Sequence, residues 1–185
     1  MSDELKVLEL VSSRLEQLTI PYMITSSVAL NYYATPRMTR DIDLIVELRK
    51  EDISKLTQLF SHDFYIDDEM IAQAMHDQSM FNIIHNEWII KVDFIIRKAS
   101  TYRLLEFKRR QKVDMGHFSF WVVSPEDLVL SKLVWAKDSL SDLQLRDVKS
   151  LFNMKEDLDY DYIEKWVANL KLETVYAKVS EINNE

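Results

Sequence analysis

Asp41-Ile42-Asp43 sets two carboxylates two residues apart in a segment, 41–48, that alternates cleanly in polarity. Successive side chains of a strand leave opposite faces. Ile42, Leu44, Val46 and Leu48 therefore point one way, and Asp41, Asp43, Ile45 and Glu47 the other. Two carboxylates held that close repel, and each raises the pKa of the other unless a cation lies between them. Mg²⁺ or Mn²⁺ fits such a place, because hard divalent ions take carboxylate and phosphate oxygens. A third acid, Asp93, falls in the middle of 88–96, between Val92 and Phe94. There Trp88, Ile90, Val92, Phe94 and Ile96 share one face, while Lys91, Asp93 and Arg97 share the other with Ile89 and Ile95. If the two strands are neighbours, three acids converge, as two-metal phosphoryl transfer requires. A plainer arrangement fits the same residues: two solvated acids on an exposed sheet face, and Asp93 paired to Lys91. The residues alone leave both open.

The elements that must position these acids follow from periodicity. Leu5, Leu8, Val11, Leu15 and Leu18 predict a helix over 3–18, which Pro21 ends. A short strand over 22–24 and a helix over 27–34 precede the acidic strand. Helices are expected over 52–60 and 67–75. Strands over 79–85 and 88–96, joined at Asn86-Glu87, predict an antiparallel hairpin. A further strand is expected over 118–123. Ser124-Pro125-Glu126-Asp127 is a strong helix start, with a capping serine, proline at the first helical position and acids in the first turn. Helices then follow over 125–137, 142–153, 159–170 and 172–182. The expected class is α+β: a mixed β-sheet flanked by helices over 1–123, and a helical C-terminal region over 124–185 that packs on this core.

Composition narrows the chemistry. The 185 residues are 47% hydrophobic, enough for a core. There is no cysteine, so neither a disulfide frame nor a thiolate metal site is available. Gly116 is the single glycine, which excludes the Gly-rich phosphate loops of P-loop and Rossmann proteins. The chain carries a net charge of −8, yet 97–112 holds Arg97, Lys98, Arg103, Lys108, Arg109, Arg110 and Lys112 against Glu106 alone. That stretch reads as a solvated loop or helix face, or as a patch for the phosphates of a nucleotide or RNA. His62, His76, His85 and His117 have no metal spacing, and the four tryptophans fall among apolar neighbours, which suits packing. The acidic N-terminus is no secretory signal, and no apolar run nears the ~20 residues of a membrane span. A cytoplasmic protein with no membrane partner is expected.

Ile24-Thr25-Ser26-Ser27, followed by Thr39-Arg40-Asp41-Ile42-Asp43-Leu44 and later by Asp93, resembles the signature of the polymerase-beta-like nucleotidyltransferase superfamily. That signature is a small-residue pair opening a helix, then Asp-hydrophobic-Asp-hydrophobic, then an acid on a later strand. Val123-Ser124-Pro125-Glu126-Asp127-Leu128, Ser131-Lys132-Leu133 and Leu145-Arg146-Asp147-Val148 resemble the abortive-infection (AbiEii-type) nucleotidyltransferase toxins and their small relatives. The resemblance implies a nucleotidyltransferase fold with Asp41, Asp43 and Asp93 as catalytic metal ligands, Asp93 being the alternative base for the acceptor. It implies that Ser26 and Ser27 face the nucleotide phosphates, with Arg40 beside them. Lys132 would neutralise the triphosphate and Asp147 would orient it; by spacing alone, the same two form a structural ion pair. Ser26 stands where the family usually has glycine, the residue that lets backbone approach phosphate and take φ > 0. The implied activity moves a nucleoside monophosphate from an NTP to an acceptor hydroxyl on a protein, a tRNA or a small molecule, with Mg²⁺ or Mn²⁺, in a toxin–antitoxin or phage-defence setting. The alternative is a non-catalytic binding module that keeps the fold and partners a toxin or antitoxin protein.

Overall fold

A computed structural model describes residues 2–36, 41–139 and 141–181. The chain divides into two compact units: Met1–Val28 with Met38–Val123, and Ala29–Arg37 with Ser124–Glu185. Among the described residues no helix is long and apolar enough to cross a membrane.

In the first unit the elements run α1 (Asp3–Gln17), β1 (Tyr22–Ile24), the start of α2 (Ser26–Tyr33), β2 (Asp41–Val46), α3 (Asp52–Phe60), β3 (Phe64–Tyr65), α4 (Asp68–Asp77), β4 (Met80–His85), β5 (Lys91–Ile96), α5 (Thr101–Lys108), β6 (Gln111–Asp114) and β7 (Ser119–Val122). Among the described residues the strands form one seven-stranded sheet in the order β3-β4-β5-β2-β1-β7-β6. β2 runs parallel to β5 and β1 parallel to β7, while the other pairs are antiparallel, so the sheet is mixed.

Over the central strands β2 and β5, one face of this sheet is apolar. Ile42, Leu44 and Val46 of β2 align with Val92, Phe94 and Ile96 of β5, and Phe81 and Ile83 of β4 extend the row. All of these side chains are buried, together with Val7, Val11 and Leu15 of α1, Phe60 of α3 and Ile71 of α4. Burying each such side chain favours folding by about 1.5–3 kcal/mol, so a slip of one residue, which would turn the whole row to solvent, is strongly disfavoured. The apolar face thus fixes the register that the polar face inherits.

The structure departs from the sequence-based boundaries at several places. Helix α1 stops before Pro21: Thr19 takes a left-handed φ of 54° and Ile20 N–H donates to the Leu15 carbonyl at 2.9 Å. Strand β2 ends at Val46, two residues short of the expected end. The β4–β5 connection spans 86–90, longer than Asn86-Glu87, and takes Trp88 out of the strand. His85 Nδ1 accepts from the N–H of Glu87 and of Trp88 at 3.3 and 3.2 Å, and the Trp88 ring stacks on the imidazole at 4.2 Å. The buried His85 therefore organises the turn, a packing role. β3, α5 and β6 had no expected counterpart. They are short, and β3 and β6 sit at the edges of the sheet, where one-sided pairing needs little apolar alternation.

The second unit is helical: the rest of α2, then α6 (Pro125–Ser139), α7 (Asp142–Met154), α8 (Tyr160–Asn169) and α9 (Glu173–Val179). Helix α6 contacts each of the other three C-terminal helices and is buried along 125–133. Its polar start is satisfied internally. Ser124 Oγ donates to Asp127 Oδ2 at 2.7 Å and accepts from Asp127 N–H, while the Tyr162 hydroxyl donates to Asp127 Oδ1 at 2.7 Å. Trp135, expected to pack, is instead largely exposed.

Arg14 of α1 grips Asp63 with both arms, Nη1–Oδ1 and Nη2–Oδ2 each at 2.7 Å, and its guanidinium lies over Phe60 and Phe64. Burial pushes the Asp63 pKa up, but the Arg14 hydrogen bonds and charge outweigh it, and the net shift is downward. A depressed folded-state pKa contributes stability above the unfolded carboxylate's ~3.9 that is lost as pH falls through the folded value. Asp63→Asn should therefore lower stability to urea by about 1–2 kcal/mol at pH 7, and the gap to the natural protein should narrow as pH falls below ~4. Equal pH profiles for the two proteins would contradict this.

Candidate active site

Between β1 and α2 the chain turns at Ser26. Thr25 N–H donates to the Asp43 carbonyl at 2.9 Å, holding the turn against β2. Ser26 then takes φ 56°, the left-handed region where a Cβ costs roughly 1 kcal/mol or more. This is the conformation for which glycine is the usual residue. The serine adds a contact that glycine lacks: its side chain is hydrogen-bonded to the Asp43 carboxylate. The adjacent Ser27 is buried in the first turn of α2. A helix start presents N–H groups without intrahelical partners, a ready place for an anion.

Register brings the acids together. In the parallel β2–β5 pair, Asp43 stands opposite Asp93 and Asp41 opposite Lys91. All four side chains leave the face opposite the apolar row. On β4, Asn82 is the partner of Asp93. Asp93 is 5% exposed, Asp43 is partly covered and Asp41 is exposed. Lys91 Nζ lies 2.8 Å from Asp93 Oδ2 and 3.8 Å from Asp41 Oδ2. The other Asp93 oxygen, Oδ1, is buried and has no hydrogen-bond partner among the described residues. Burial raises the Asp43 pKa, and the charges of Asp93 and Asp41 push it further, against the Ser26 hydrogen bond and the Lys91 charge. The Lys91 pKa is raised, first by its hydrogen bond to Asp93 and then by the charges of Asp93, Asp41 and Asp43.

This donor set suits a hard divalent cation. It consists of carboxylate oxygens, one of which is buried with no partner, and one carboxyl already bears the repulsion of the others. Among the described residues, however, no three acid or imidazole groups stand in ready coordinating positions. Lys91 lies between Asp41 and Asp93, so the paired-lysine arrangement foreseen from sequence is present on the very face that gathers the three acids. Its contact with Asp41 went unforeseen; the signal available for it was the equal spacing of Asp41/Asp43 and Lys91/Asp93.

The other expected site residues fall elsewhere. Lys132 and Asp147 meet inside the helical unit, Nζ–Oδ2 2.7 Å, both buried, with Gln144 Oε1 3.3 Å from Nζ. That is the ion pair their spacing allowed. Arg40 lies outside the described residues. In the basic stretch, Arg97 pairs with Glu47, Arg103 with Glu106 at 2.8 Å, and Arg110 lies over Phe107 and Trp121 while donating to the Phe107 carbonyl at 2.7 Å. Lys112 lies over Trp121 and 3.9 Å from Glu16. Much of this charge therefore serves the fold.

Ser26→Ala keeps the left-handed Cβ and loses the hydroxyl, whereas Ser26→Gly loses both. The alanine variant should be less stable than the glycine variant by about 1 kcal/mol in chemical denaturation, and equal stabilities would show that no strain resides there. Lys132→Ala should cost about 3–5 kcal/mol, because it removes the cation bonded to the buried Asp147 carboxylate, and a loss below 1 kcal/mol would contradict the pairing.

No family model matches the chain, and no curated protein matches it in sequence. Solved structures do match. An antigenic nucleotidyltransferase-like protein from Paracoccidioides brasiliensis matches with a TM-score of 0.56 at 19% identity, over 97% of this chain and 93% of that one. The lincosamide antibiotic adenylyltransferase LnuA, lincomycin-bound, matches with a TM-score of 0.55 at 12% identity, over 81% and 97%. The antibiotic-resistance factor ANT(2'')-Ia matches with a TM-score of 0.56 at 12% identity, over 95% and 93%. At such identities the likeness is one of architecture. This likeness, which runs along most of their length, gives the chain the nucleotidyltransferase fold.

Proposed function

We propose that the chain transfers a nucleoside monophosphate from an NTP to an acceptor hydroxyl, with Mg²⁺ or Mn²⁺ held by Asp41, Asp43 and Asp93. The observation that carries this reading is the in-register pair Asp43–Asp93, with the buried Asp93 Oδ1 left without a partner. When bound, the divalent ion would offset the charge of the triphosphate and make the acceptor hydroxyl easier to deprotonate. Ser26 and Ser27 would receive phosphate oxygens at the start of α2. The acceptor oxygen would bond to the α-phosphorus, the bond to the β-phosphate would break, pyrophosphate would leave, and the hydroxyl proton would pass to the Asp93 oxygen that the ion does not engage. A small-molecule hydroxyl is the favoured acceptor over a protein or a tRNA. LnuA and ANT(2'')-Ia are described as acting in antibiotic modification and resistance, and the basic stretch that suggested a phosphate-rich acceptor is largely engaged within the chain.

A second reading has its own support. Lys91 already neutralises part of the acidic cluster, as a metal-free binding module would need, and such a module could be the partner of a toxin or antitoxin protein. The two readings part in one assay. The purified protein is incubated with each labelled NTP, Mg²⁺ or Mn²⁺, and pools of small-molecule, protein and tRNA acceptors. The transferase reading expects label on one class, reduced at least about a hundredfold in Asp43→Ala and abolished by chelator. Equal labelling by both proteins, or none together with no NTP binding by calorimetry, would leave the binding module as the better account.

A further inference from the structure

Lys91 has a place in the site that the transfer chemistry does not require. It sits on β5 two residues before Asp93 and directly opposite Asp41 on β2, so the sheet register aims its ammonium into the cluster. Nζ is 2.8 Å from Asp93 Oδ2 and 3.8 Å from Asp41 Oδ2. It leaves Asp93 Oδ1 buried and without a partner. Its ammonium thus holds two of the three carboxylates proposed to bind the metal. The side chain is 39% exposed, so it has solvent to move into.

Resting on the metal-binding reading above, we propose that Lys91 is a resident counter-cation that occupies the site in the metal-free protein and is displaced when the divalent ion enters. Two consequences follow from competition for the same oxygens. Lys91 supports the fold while the metal is absent, because without it the facing Asp43 and Asp93 carboxylates lose the ammonium that offsets their repulsion. It also lowers the affinity for metal, because an ion at Oδ1 meets the repulsion of the ammonium held at Oδ2 of the same carboxylate until Lys91 leaves. Lys91 thereby sets the divalent-ion concentration at which the site loads. A purely structural lysine would show the first effect without the second.

The test uses the full chain and Mn²⁺ alone, followed by calorimetry, with thermal melts in chelator. Lys91→Met should melt below the natural protein in chelator yet bind Mn²⁺ at least about tenfold tighter, the factor given by 1.4 kcal/mol. Lys91→Arg, which keeps the charge, should stay near the natural affinity, and Lys91→Met combined with Asp43→Asn should lose the tight binding. A second measurement needs no variant: reaction of the Lys91 amine with acetic anhydride, read by mass spectrometry, should quicken when Mn²⁺ is added. Mn²⁺ binding by Lys91→Met that is equal to or weaker than that of the natural protein, or an acetylation rate unchanged at saturating Mn²⁺, overturns the displacement while leaving the metal site standing. If neither the natural protein nor Lys91→Met binds Mn²⁺, the metal reading itself falls and this proposal falls with it.

Discussion

Like charge held at close range across two strands is the constraint on which the rest of this structure depends. Asp43 and Asp93 oppose one another in the β2–β5 ladder, and Asp41 lies one step along the same face. Unaided, such an arrangement disfavours folding, and the Asp43 pKa, raised first by burial, is pushed further up by the charges of Asp93 and Asp41. The compensation comes from behind. The rear of the same two strands is an unbroken apolar row, from Ile42 to Val46 and from Val92 to Ile96, and its burial fixes the pairing that forces the acids together. The stability of the core is thereby converted into the geometry of a site.

The neighbours of the acids act on the same problem. Lys91 brings one positive charge to Asp93 and Asp41. Ser26 brings a hydroxyl to Asp43, and it does so from a left-handed backbone that a residue with a Cβ adopts at a cost. Strained conformations persist where the surroundings over-determine them, and they gather at ligand sites. Here the strain falls at the turn that starts α2, beside the acids, which is where a phosphate would have to approach.

Much of this was legible in the sequence, and the limits were physical. Strict alternation in 41–48 assigned the acids to the polar face, and the alternation around Asp93 did the same, so the convergence needed only the two strands to be neighbours. Capping chemistry at Ser124-Pro125-Glu126-Asp127 marked the boundary at which the helical unit begins. The sequence could not show how far apart Lys91 and Asp41 lie, because that depends on a parallel register set by the core. It could not reveal α5, whose eight residues mix Leu104 and Leu105 with three charged side chains and leave no clear apolar stripe. The turn after β4 was hidden for another reason: a buried histidine accepting two backbone N–H groups has no local sequence signal. The charge of 97–112 overstated a phosphate surface, since composition does not disclose that Arg97, Arg103 and Arg110 find partners within the chain.

The central claim is that the Asp41, Asp43 and Asp93 carboxylates constitute a divalent-metal site. The most direct test is a crystal of the protein grown with Mn²⁺ and a non-hydrolysable NTP, with anomalous diffraction collected at a wavelength where manganese scatters. The account predicts a strong anomalous peak coordinated by oxygens of Asp43 and Asp93. A map with no peak there, or with its only manganese elsewhere while Lys91 remains bonded to Asp93, would contradict it.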